Sequence, residues 1–176
     1  WTKFENITIV TNTADNELVY GERAWVTCYE QNNAHHTVTV KDGTLRIEIN
    51  DETEWYEHIG INLGSPKITV CLPKGHYGNL DIIGSTGSVT VSAAFDFVAM
   101  DIALSTGDIR LQNISVQQLR LSVSTGRITV NHVECLGNLD IHVSTGKCEL
   151  TNVTCQNLKS DGNTGDGACC TDGIVH

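Results

Sequence analysis

Residues 101–150 read DIALSTGDIR LQNISVQQLR LSVSTGRITV NHVECLGNLD IHVSTGKCEL, and this stretch decides the fold. Ser-Thr-Gly occurs in it three times, at Ser105, Ser124 and Ser144. Working outward, the same tripeptide stands at Ser85, and Asn-Thr-Gly follows at Asn163. The steps between these anchors are 20, 19, 20 and 19 residues, a self-similarity that marks a repeat architecture.

The flanks of each anchor repeat as well. Leu104, Ile102 and Met100 precede the second anchor at alternate positions, as Val123, Leu121 and Leu119 precede the third and Val143, Ile141 and Leu139 the fourth. After the anchors come Val89 and Val91, Ile109 and Leu111, Ile128 and Val130, then Cys148 and Leu150. Nine positions after the anchors stand Ala94, Ile114, Val133 and Val153. Polar residues separate these, so each unit holds two short stretches of period two, the pattern of half-buried strands. Thr-Gly between them is a turn, with glycine supplying a positive φ. The expectation is that Gly107, Gly126 and Gly146 occupy equivalent corners.

Two short strands cannot bury an apolar face alone, but they can when stacked on copies of themselves about 4.8 Å apart. The pattern therefore predicts an all-β chain, a parallel β-solenoid of about 19–20 residues per coil. Its interior ladders are Met100, Leu119, Leu139 and Leu158, and Ile102, Leu121 and Ile141. A propeller blade needs roughly 40 residues, and a leucine-rich repeat needs an Asn-containing signature that is missing here. Four positions before the anchors stand Asp81, Asp101, Arg120, Asp140 and Lys159, which stacking turns into an outward ladder of mostly alternating charge. Asp101 and Asp140 could suggest a carboxylate pair, but Arg120 falls between them.

The first half is less regular. Ile68–Val70 and Leu80–Ile82 fit the coil pattern, with Gly64-Ser65-Pro66 as an anchor 21 residues before Ser85-Thr86-Gly87 would repeat it. Leu72-Pro73-Lys74-Gly75 is a turn. Alternation predicts strands over 7–10, 25–29, 37–40, 45–49 and 59–63, and Asp42-Gly43 is a hairpin turn. Residues 1–60 carry 11 acids against 4 bases. The chain is expected to be one domain: an acidic β-rich leading region over 1–63 that covers the first coil, coils over 64–165, and a C-terminal cap over 166–176 that leaves the protein a monomer. Without a cap, the last coil would present unpaired backbone groups.

Composition agrees. Val, Ile and Thr supply 51 of 176 residues, with 16 Gly and 2 Pro, a β-rich balance. The net charge of −10 argues against a nucleic-acid partner, which requires a basic face. No apolar run reaches the roughly 18 residues of a membrane helix. The chain opens at Trp1, which reads as a processed or bounded chain from which any export signal or anchor has been removed.

The run Lys41-Asp42-Gly43-Thr44-Leu45, then Ile68 to Gly75 (ITVCLPKG), then the repeated Ser-Thr-Gly-x-[Ile/Val] together resemble the bacterial "putative adhesin" family, a domain of unknown function. The resemblance covers residues 37–167 well and the first 36 loosely. It implies a β-solenoid at the cell envelope, often behind a membrane anchor, and it transfers no catalytic residues. This chain differs in its short C-terminus and its cysteine content.

Seven cysteines (Cys28, Cys71, Cys135, Cys148, Cys155, Cys169 and Cys170) include no CxxC, and most read as reduced, buried small hydrophobes. Three N-x-S/T sequons, at Asn6, Asn113 and Asn152, read as accidents of a Thr- and Asn-rich chain. A recurring Ser is a turn residue, whereas a nucleophile is unique. The histidines (His35, His36, His58, His76, His132, His142 and His176) form no ligand motif, and Asp166-Gly167 and Asp172-Gly173 do not sustain a calcium β-roll. The sequence therefore assigns no catalytic, cofactor or metal residue and no cofactor. It points to a non-enzymatic, extracytoplasmic structural or binding module whose partner is a surface component or glycan. Two alternatives stand beside it: an envelope-stress regulatory component, and a polysaccharide-active β-helical enzyme.

Overall fold

A computed structural model describes residues 3–29, 35–50, 66–162 and 170–172. Eleven strands form one mixed sheet, and no helix occurs among the described residues. They are β1 (Asn6–Thr13), β2 (Asp15–Tyr20), β3 (Trp25–Tyr29), β4 (His35–Lys41), β5 (Thr44–Asn50), β6 (Lys67–Leu72), β7 (His76–Thr86), β8 (Val89–Cys135), β9 (Asn138–Thr154), β10 (Asn157–Asp161) and β11 (Cys170–Asp172). The all-β expectation holds. β8 runs for 47 residues because pairing between repeats continues through its corners.

The repeat period reappears as pairing register. β7 and β8 run parallel with Leu80 beside Met100 and Ile82 beside Ile102. β8 and β9 pair Leu119 with Leu139, Leu121 with Ile141, and Val130 with Leu150. β10 then sets Leu158 beside Leu139. These positions up to Leu150 are buried, each aliphatic contributing about 1.5–3 kcal/mol of transfer free energy. Leu158, in the last full rung, is only half-buried. Ala94 departs from the expected pattern: it is exposed, and Phe95 and Phe97 fill the interior instead. They pack edge-on against each other, their centroids 6.0 Å apart.

The Ser-Thr-Gly corners are a glycine column. Gly87, Gly107, Gly126 and Gly146 have φ of +136°, +142°, +150° and +145°. A Cβ on Gly107, Gly126 or Gly146 would overlap the carbonyl oxygen of the glycine one rung earlier. A second corner column is left-handed without glycine: Asn113, His132 and Asn152 have φ of 57°, 52° and 52°. Asn, and more rarely His, tolerate that region. Asn152 and His132 also share a 3.1 Å side-chain hydrogen bond.

The N-terminal half differs from its sequence reading. The sequence places the coil starting at Gly64 directly beneath the coil starting at Ser85. In the structure β2 stands between them, so that Ile68 and Val89 both pair with Asn16. Likewise β1 lies between β5 and β7, with Ile7 beside both Leu45 and Leu80. Residues 6–20 are thus an inner rung, with Ala14 in the glycine column: its carbonyl meets Gly87. β2 has no counterpart among the strands expected from sequence, and the rung of β1 and β2 carries polar groups into the core. Thr11 and Asn16 are buried, and Thr11 Oγ1 and Asn16 Oδ1 have no hydrogen-bond partner.

At this end two antiparallel strands flank the outermost rung. β4 pairs with β5 across the expected Asp42-Gly43 turn, whose φ values of 50° and 71° fit a type I′ hairpin. β3 pairs with β6. The expected strand over 59–63 and the anchor at Gly64-Ser65 lie outside the described residues. At the other end β11 pairs parallel with β9, Thr171 beside Leu150. The remainder of the expected cap, including Cys169, lies outside the described residues.

Candidate binding groove

Three separated stretches converge beside the outer rungs: residues 3–5 ahead of β1, residues 23–25 entering β3, and residues 73–77, which link β6 to β7 and begin β7. Between them lies a groove of about 790 Å³, within the range of small-ligand sites. Phe4, Trp25, Pro73 and Tyr77 supply apolar walls, while Lys3, Glu5, Arg23 and His76 bring charged or polar groups to its rim. A smaller hollow of about 200 Å³ adjoins it through Phe4, Ala24 and Trp25 and reaches the core at Val26, Val40 and Leu45.

Backbone pairing fixes the walls. The Glu5 and Asn6 amides donate to the Gly43 carbonyl at 2.9 and 3.1 Å. The Gly78 amide donates to the Glu5 carbonyl at 2.7 Å, and the Asn79 amide to Asn6 Oδ1 at 2.8 Å. A Cβ on Gly78 would meet Asn6 Oδ1, so any larger residue there must displace the side chain that accepts from the Asn79 amide. Tyr77 is buried, donates from its hydroxyl to the Pro73 carbonyl at 2.7 Å and packs 5.5 Å from Phe97. Burial pushes its phenol above the ordinary value, so it remains a neutral donor. Trp25 contrasts with it: 45% of its surface is exposed, leaving an indole available beside a rigid wall. His76 Nδ1 lies 2.6 Å from Asp96 Oδ2 at the rim. Lys74 Nζ stands 5.8 Å from the exposed Tyr20 ring.

The model of the Toastrack DUF4097 family matches residues 4–167. The chain belongs to that family. A comparison with curated proteins finds no match. Three crystal structures are similar to this Toastrack chain over most of their length. One, called a putative cell adhesion protein, is from Clostridium sporogenes ATCC 15579, with 12% identity and a TM-score of 0.47, covering 90% of this chain and 94% of that one. Another, called a putative adhesin, is from Bacteroides fragilis NCTC 9343, at 16% and 0.37, covering 92% and 91%. A third, also called a putative adhesin, is from Parabacteroides merdae ATCC 43184, at 12% and 0.38, covering 99% and 92%.

Elsewhere on the Toastrack surface, the charges weighed in the sequence form a ladder. Asp81 pairs with Asp101 and Arg120 with Asp140, and Arg120 Nη1 reaches Asp101 Oδ2 at 4.0 Å. Asp101 and Asp140 are separated by that guanidinium, as the sequence reading had it. Partial burial, and then the charge of Asp101, raise the Asp81 carboxyl above its ordinary value.

One grouping was not foreseen. His142 Nε2 lies 3.1 Å from Ser144 Oγ, and His142 Nδ1 lies 3.7 Å from Asp161 Oδ2. The order is that of a hydrolytic triad, beside a shallow hollow of about 260 Å³. The second distance exceeds a hydrogen bond. The His142 and Asp161 side chains are 46% and 69% exposed, so water screens the pair that would have to hold the imidazolium. Among the described residues, no group of three or more His, Cys, Asp or Glu side chains is placed to hold a metal. No described helix is long and apolar enough to cross a membrane. The sequence reading assigned no site residue, and it gave no sign of the groove.

Proposed function

We propose that this Toastrack chain is a parallel β-solenoid serving as a non-enzymatic, adhesin-like binding module of the bacterial cell surface, acting as a monomer, and that its groove takes a glycan. The half-exposed Trp25 indole beside the Phe4 and Tyr77 walls carries this reading. A sugar presents apolar C–H faces and a belt of hydroxyls. An aromatic wall accepts the first through apolar contact, and a rim of Lys3, Glu5, Arg23 and His76 accepts the second by hydrogen bonding. The rigid rungs behind the groove lower the cost of ordering it on binding. Adhesion and the extracytoplasmic location are parts of the same proposal. Beads coated with the protein test it: they should adhere to bacterial or host cells and lose adhesion when the cells are treated with periodate, which cleaves vicinal diols. Adhesion that survives periodate, or no adhesion at all, overturns the glycan reading.

A further inference from the structure

Two cysteines occupy matching places in consecutive rungs. β8 and β9 pair Val133 with Val153 and Glu134 with Thr154, and the next step in that register sets Cys135 beside Cys155. Both thiols are free and buried, and both belong to the apolar core, so they point to the same side of the sheet. Adjacent strands put such residues about 4.8 Å apart at Cα, inside the 4.4–6.8 Å window that a disulfide spans. Among the described residues the registers bring no other two cysteines side by side: Cys148 stands beside Ile128 and Cys28 beside Ile68.

The position also matters for stability. One residue, Gln156, separates Cys155 from β10, the last full rung, where Leu158 is half-buried and Ser160 pairs with Ile141. With Leu158 half-buried and Ser160 exposed, that end is lightly packed, and a stack frays from its terminal rungs. We propose that Cys135 and Cys155 form a disulfide that ties the final rung to the one beneath it.

The chemistry balances against a small-molecule disulfide as oxidant. One cysteine thiolate attacks a sulfur of the oxidant, expelling one thiol and leaving a mixed disulfide; the second thiolate then displaces the remaining half. Two electrons and two protons pass to the oxidant, which leaves as two thiols. Burial pushes both protein thiols up, and for Cys135 the neighbouring Cys155 adds to the shift. The thiolates are therefore scarce in the folded rung, and the bond forms while that rung is open, during folding.

The test is to unfold the full chain and refold it in a buffer of reduced and oxidised glutathione, then alkylate the free thiols. Cleavage after Lys, Arg and Glu separates the three nearby cysteines into fragments 135–147, 148–149 and 150–159. Mass spectrometry should find 135–147 linked to 150–159. Recovery of Cys135 and Cys155 as alkylated thiols, or a link from Cys135 to Cys148, overturns the proposal. Reduction should lower the melting temperature of the refolded protein by roughly 5–10 °C and leave a Cys135→Ala/Cys155→Ala variant unchanged. An equal drop in that variant also overturns it.

Discussion

Gly126 holds its Cα against the carbonyl oxygen of Gly107, one rung away, so closely that a Cβ would overlap that oxygen. Gly107 stands in the same relation to Gly87, and Gly146 to Gly126. The column serves two needs at once: a φ near +145° that L side chains resist, and a close approach of backbone to backbone. Gly126→Val should therefore cost roughly 2–4 kcal/mol, more than strain in φ alone, because the neighbouring rung is backbone and cannot step aside. Urea titration measures it, and a cost below 1 kcal/mol would mean that the corner is not held as described.

Leu121 and Arg120 are chain neighbours on opposite faces. Leu121 is fully buried beside Ile141, whereas Arg120 faces solvent. Leu121→Asp should lose several kcal/mol by burying a lone carboxylate, and Arg120→Ala under about 1 kcal/mol. Thermal melts that rank them in the opposite order would show that the register is wrong.

Thr11 buries a hydroxyl oxygen with no partner. Thr11→Val keeps the shape and removes that oxygen, so it should stabilise the protein by about 1 kcal/mol. A loss of stability in the same melt would show that the hydroxyl is satisfied.

How much of this was legible follows from what repeats. The glycine column and the aliphatic ladders from Met100 to Leu150 could be read directly, because each rung must solve the same steric problem with the same residue types. The rung formed by β1 and β2 could be read only in part: alternation marks residues 7–10, but neither β2 nor the place of the rung in the stack. Its column places hold Ala14 where others hold glycine and Asn16 between Ile68 and Val89, so no anchor marks its corner and β2 lacks the apolar alternation of the later rungs. Pairing between residues 73 apart, as between Ile7 and Leu80, leaves no local trace either. The groove was hidden for the same reason: Phe4, Trp25 and Tyr77 meet only once that rung is in place.

Asp81 gives a pH signature. Its carboxyl is raised chiefly by burial and then by Asp101, so between the ordinary carboxylate pKa and its own the folded protein binds more protons than the unfolded chain. This contribution to stability is therefore present in acid and lost as pH rises through that window. Asp81→Asn should flatten that part of the stability–pH curve and be the more stable protein at pH 7. A steeper curve for the variant would contradict the assignment.

The Ser144, His142 and Asp161 grouping predicts no hydrolysis. An activated-ester assay should give the same slow rate for the native protein and for Ser144→Ala. A rate that falls a hundredfold in the variant would make the site catalytic.

The proposed binding of a glycan in the groove beside Trp25 is read out by a glycan array probed in parallel with the native protein and Trp25→Ala. The native protein should retain at least one glycan class. The variant, melting at an unchanged temperature because Trp25 is half-exposed, should retain that class about tenfold more weakly, a difference of about 1.4 kcal/mol. Equal retention by the two proteins, or retention of no glycan by the native one, would contradict the account.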